Sequence, residues 1–133
     1  MNSYSVAGQI ERAGGRPVRA GSAPDDYARL KEMARAALAD ADMLVLSAGS
    51  SVSVRDLTAT VVNELGAPGL LVHGVALKPG KPAILAVADG KPIVGLPGNP
   101  VSAMVVADLF VGPAVYRLLG CMNPPPRQSV RAK

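Results

Sequence analysis

Apolar positions along the chain follow two rhythms. In "NSYSVAGQIERAG", Val6, Ile10 and Ala13 recur at helical spacing and the segment closes on Gly14-Gly15, which predicts a helix with a stop signal. "APDDYARLKEMARAALADA" sets Leu30, Met33, Ala34, Ala37 and Leu38 on one face, with Asp25 and Asp26 in its first turn. "DLTATVVNELG" reads as a third helix stopped by Gly66, and "NPVSAMVVADLFVGPAVYRLLG" as a fourth with a break at Pro113. Elsewhere the apolar residues run together. "DMLVLSAG", "GLLVHGVAL", "AILAVA" and "KPIVGL" read as buried or half-buried strands, and "RPVRAG" as a short one. Strands alternating with helices predict a three-layer α/β/α sandwich with a mostly parallel sheet, whose ligand crevice lies at the C-terminal strand ends.

Composition narrows this picture. The 133 residues suit one domain, and because 49% are hydrophobic but only 3% aromatic, the core has to be built from Val, Leu, Ala and Ile. No apolar run approaches the roughly 20 residues of a membrane helix, and residues 1–15 are too polar for a secretion signal, so a cytoplasmic location is expected. Cys121 and His73 are the single cysteine and histidine, which excludes a disulfide framework and a Cys/His metal cluster. A metal would have to rest on carboxylates, hydroxyls or a ligand. The net charge of +4 invites a nucleic-acid reading, but Arg127, Arg131 and Lys133 lie in the tail "NPPPRQSVRAK", and no aromatic-interleaved basic face accompanies them. Residues 1–120 are therefore read as one α/β domain, and 121–133 as a Pro-rich linker or the start of a following domain.

Three strand-end loops offer chemistry. "LSAGSSVSVRD" carries the hydroxyls of Ser47, Ser50, Ser51 and Ser53, close backbone access at Gly49, and a helix N-terminus, all of which suit an anion. Asp56 in the same loop is either an ordinary N-cap or a ligand-handling carboxylate. In "LKPGKP", Pro79-Gly80 suits the centre of a type II turn, which brings the Cα atoms of Lys78 and Lys81 to within about 7 Å. Two ammonium groups held that close either splay into solvent or share an anion. In "GLPGNPVSA", Pro97-Gly98 turns the chain, Asn99 suits an N-cap and Pro100 the first helical position; the corner also aims backbone donors into the crevice.

Taken in this order, "SAGSSVSVRDLT", "HGVALKPGKP" and "GLPGNPVSA" resemble the molybdopterin-binding domain of the molybdopterin molybdenumtransferases, the family of MoeA and the gephyrin E domain. The resemblance spans nearly the whole chain. It implies binding of adenylylated molybdopterin and insertion of molybdate with release of AMP, assisted by a divalent cation such as Mg2+. It puts Ser51, Asp56, Lys78, Lys81, Pro97 and Pro100 at positions that handle the pterin, its phosphates or the molybdate, with Asp56 on the cation. It further implies a homo-oligomer that works with other domains, and a first strand preceding the helix that opens this sequence. The chain departs from the family in Ser53-Val54, where a glycine and an acidic residue are usual. "RDLT" at 55–58 is similar instead to the sister molybdopterin adenylyltransferases, a second reading; a non-catalytic cofactor- or partner-binding module is a third.

Overall fold

The computed structural model describes residues 2–23, 25–47 and 51–126. Its elements are α1 (Asn2–Arg12), α2 (Tyr27–Ala39), β1 (Leu44–Ser47), α3 (Val52–Asn63), β2 (Pro68–His73), β3 (Ile84–Ala88), β4 (Lys91–Leu96), α4 (Pro100–Val106) and α5 (Gly112–Leu118). Alternation along the strands sorts them into layers. Ile84, Ala86 and Ile93 face Ala34, Leu38, Ala59 and Val62 of α2 and α3. Val94 and Leu96 face the other way, onto Val6 of α1 and Ala103, Val106 and Val111 of the C-terminal helix. Period-two side chains thus give one sheet two dry faces, each covered by a helix pair, and the three-layer α/β/α sandwich follows.

The sheet order is β1-β4-β3-β2. β1 pairs parallel with β4, but β4–β3 and β3–β2 are antiparallel, so the sheet is mixed rather than mostly parallel. Connection length is the reason. Asp89 and Gly90 form a two-residue turn with φ of 50° and 84°, both left-handed as a type I′ hairpin requires. The segment 74–83 between His73 and Ile84 is likewise shorter than the dozen or so residues of a parallel crossover.

Further expectations change in contact with tertiary packing. "RPVRAG" forms no strand: Val18 is 76% exposed, and Arg19 lies over the Tyr4 ring, 3.8 Å from its centroid, holding the segment to α1 instead of the sheet. Asp26 stands outside the first turn of α2 as its N-cap, accepting from Arg29 N at 2.8 Å. Gly66 does not stop α3, which ends earlier at Asn63 with Glu64 as C-cap. A Cβ at Gly66 would lie 2.7 Å from the Asp89 carboxylate and would disturb the hydrogen bond that carboxylate accepts from Ala67 N. Pro113 does not break the last helix; a π turn at Ala107–Val111, with Gly112 N–H donating to Ala107 O, absorbs the missing donor and joins α4 to α5.

Joined in this way, Pro100–Leu118 makes 19 residues of mean hydropathy 1.5, long and apolar enough by length and composition to cross a membrane. The expectation that no stretch approaches that length is corrected; Asp108 and Pro113 punctuate the run in sequence. In this fold the helix packs Ala103, Val106, Ala107, Val111 and Val115 into the core.

Candidate functional site

Two chain reversals make β2 point the same way as β4, so β1, β2 and β4 all end on one edge of the sheet. Register lines up Leu46, Gly95, Ile84 and His73 in a single row along that edge, about 14 Å across at 4.8 Å per strand. All three loops singled out in the sequence rise from this row. At the β1 end, Asn2 at the start of α1 donates from Nδ2 to Ser47 Oγ (3.2 Å) and to Gly98 O (3.0 Å). One side chain therefore ties the end of β1 to the corner after β4. At the corner the capping roles are those its residues suggest, although Gly98 is not left-handed. Asn99 Oδ1 accepts from Val101 N (3.0 Å) and Ser102 N (3.2 Å), Pro100 begins α4, and Pro97 is buried.

The 74–83 loop leans over the α1/α4 face. Val75 and Leu77 pack on that core cluster, and Gly80, at φ 123°, is buried so closely that a Cβ would meet Leu77 Cδ2 and Val106 Cγ2 at 2.8 Å. Backbone bonds from Gly74 N to Ala83 O and from Val75 N to Lys81 O, both 2.8 Å, close its base. Gly80 takes the left-handed φ that the turn was expected to need, and the Lys78–Pro79 bond is cis. Lys78 and Lys81 stand exposed on this braced loop, and neither forms an ion pair with a described residue. Two ammonium groups carried on one braced loop, without a counter-charge among the described residues, suit an anion as partner.

Around α3 the geometry corrects one alternative and divides the site. Ser51, and not Asp56, is the N-cap: its Oγ accepts from Val54 N at 3.4 Å and lies 3.3 Å from Ser53 Oγ. Asp56 sits in the second turn, free of capping duty. It lines a cleft of about 440 Å³ between α3 and β2, together with Ala59, Thr60, Asn63, Glu64, Leu70 and His73. Neither lysine lines that cleft, so Asp56 belongs to the α3 side of the sheet edge and the lysines to the α4 side. Among the described residues, no group of three or more acidic, histidine or cysteine side chains could hold a metal ion. Gly49 and Ser50 lie outside the described residues.

Comparison with known proteins bears on the family and the fold. The family model described as a probable molybdopterin binding domain matches residues 1–117. The chain belongs to this molybdopterin-binding domain family. Among relatives, a molybdopterin biosynthesis protein of Methanocaldococcus jannaschii is 37% identical over 83% of the chain and 27% of its own length. Molybdopterin molybdenumtransferase 2 of Mycobacterium tuberculosis is 33% identical over 92% of the chain and 31% of its length. The crystal structure of a molybdopterin biosynthesis MoeA protein from Pyrococcus horikosii superposes with a TM-score of 0.81 at 39% identity, covering 92% of this chain and 30% of that one. The chain thus spans less than a third of the length of these three proteins. Within the molybdopterin-binding domain, two contributors to the edge, Asn2 and His73, had no role assigned from sequence. Asn2 is recognisable only through its reach to Ser47 and Gly98, and His73 only through strand register, neither of which leaves a local motif.

Proposed function

We propose that the domain binds adenylylated molybdopterin and takes part in inserting molybdate into it with release of AMP. The braced turn that presents Lys78 and Lys81 without a counter-charge carries this reading. Both substrates are oxyanions, and ammonium groups carried on a braced loop would offset phosphate and molybdate charge. Asn2 holds the 97–99 corner and Ser47 in register, so the loops that meet the ligand keep a set separation. The described residues form no cation site of their own. A hard divalent ion normally draws on one or two carboxylates plus substrate phosphates, and Asp56 would supply one carboxylate.

Supplying adenylylated molybdopterin and molybdate to the chain, joined to the other domains of a full-length relative, tests the reading. AMP appearing in step with molybdate uptake is the expected result. Formation of adenylate from molybdopterin and ATP would favour the adenylyltransferase reading, to which the Arg55-Asp56-Leu57-Thr58 run lends its only support.

A further inference from the structure

Ser47 closes β1, and the alternation that sends Val45 onto the α1/α4 core sends Ser47 to the same side, where it is exposed. The lysine loop leans over that side through Val75 and Leu77. Asn2 opens α1 in the same layer, and its Nδ2 reaches Ser47 Oγ at 3.2 Å and Gly98 O at 3.0 Å. Chemistry fixes the polarity of these contacts. A carbonyl oxygen only accepts, so the nitrogen of the Asn2 amide has to face Gly98 O, and that nitrogen only donates. Its two hydrogens are therefore spent, one on the carbonyl and one on the Ser47 hydroxyl oxygen. Having accepted, Ser47 keeps its own O–H hydrogen, and no described residue takes it.

A hydroxyl without such a neighbour turns freely between donating and accepting. Ser51 and Ser53 illustrate this: their oxygens lie 3.3 Å apart and either can donate, so neither has its polarity set. Beside the Asn2 amide, donation is the role left to Ser47, on the side of the sheet that also carries Lys78 and Lys81. Resting on the function proposed above, we infer that Asn2 is a positioning residue: it holds Ser47 as a hydrogen-bond donor to a tetrahedral oxyanion, the phosphate of molybdopterin or molybdate itself. The bond to Gly98 O supplies a second anchor. Because Asn2 spans the end of β1 and the turn after β4, the Ser47 donor keeps its place relative to the 97–99 corner. A hydrogen bond to an ionised acceptor is roughly twice as strong as one to a neutral group, so an oxyanion gains more from this donor than a neutral ligand does.

Calorimetric titration of the full chain with molybdopterin and, separately, with molybdate tests this by comparing wild type, Ser47→Ala, Asn2→Ala and the double variant. Ser47→Ala should weaken binding of the ligand whose oxyanion meets it by about tenfold, and Ser47→Thr, which keeps the hydroxyl, by less than about threefold. The ligand that responds identifies the oxyanion. Made in the Asn2→Ala background, Ser47→Ala should weaken binding by less than about threefold, because the hydroxyl is no longer held as a donor. An Asn2 that only braced the corner would leave the Ser47→Ala loss the same in both backgrounds. Thermal melts confirm that each variant folds. Equal binding of both ligands by wild type and Ser47→Ala, or an equal Ser47→Ala loss with and without Asn2, overturns the inference while molybdopterin binding leaves the proposed function standing. Failure of the wild type to bind molybdopterin overturns the proposed function, and failure to bind molybdate as well overturns both.

Discussion

Asn99 shows how a residue can be explained by folding before any ligand is considered. Its side chain satisfies two of the free N–H groups that open α4, and Pro100 presets the φ of the next position. Replacing it with alanine removes the cap, so Asn99→Ala is expected to lower stability by about 1 kcal/mol with no ligand present. Chemical denaturation checks this: a midpoint shift at unchanged slope is the expected outcome, and curves that overlay would contradict the capping role. At this scale much was legible. Asn99, Pro100 and the glycine of the lysine turn stand in the sequence with their conformational roles attached, because capping and turn chemistry act over three or four residues. Asp56 was not legible, since a carboxylate near a helix start reads equally as a cap or a ligand until Ser51 is seen to cap α3.

The α2–α3 pair is held by a polar contact as well as by its buried face. Lys31 donates to the Tyr27 hydroxyl at 2.9 Å, and both reach Glu64 at the end of α3. Hydrogen bonds from Lys31 and then Tyr27 hold the Glu64 carboxyl below its usual 4.5, while Glu64 and then Tyr27 raise Lys31 above 10.5. A carboxyl that is more acidic when folded contributes stability above its unfolded value and loses it as pH falls through the folded one. An ammonium that is more basic when folded contributes below its unfolded value and loses it as pH rises through the folded one. Wild type should therefore lose melting temperature below about pH 4.5 more steeply than Glu64→Gln, with the two profiles parallel between pH 6 and 9. Identical acid limbs would show that the contact does not hold the helices. The helical apolar face of α2 and the continuous apolar run of β4 were legible because the pattern is carried by the sequence itself. The antiparallel pairing was not inferred, although Asp89-Gly90 between two apolar runs carries it, and the π turn depends on how one proline meets the core.

For the whole molecule, the fold gathers one edge of a mixed sheet into a site with two electrostatic halves. The lysine turn lies on the α4 face, Asp56 and His73 on the α3 face, and Asn2 pins the far end of the row. That division was invisible in sequence, where each of the three loops was read as a candidate anion site in its own right; it depends on which face of the sheet each loop leans toward. Lys78 and Lys81 are proposed to bind the anionic end of a molybdopterin ligand, and calorimetric titration of the chain with molybdopterin tests this most directly. A charge-assisted hydrogen bond contributes about 1.5 to 3 kcal/mol, so Lys81→Ala should weaken binding about tenfold or more. Lys78→Ala should weaken it less, because Lys81 carries the carbonyl that Val75 N–H fixes at the loop base. The double variant should lose the most, with its melting curve unchanged. Wild-type affinity in the double variant, or no binding by wild type at all, would contradict the account.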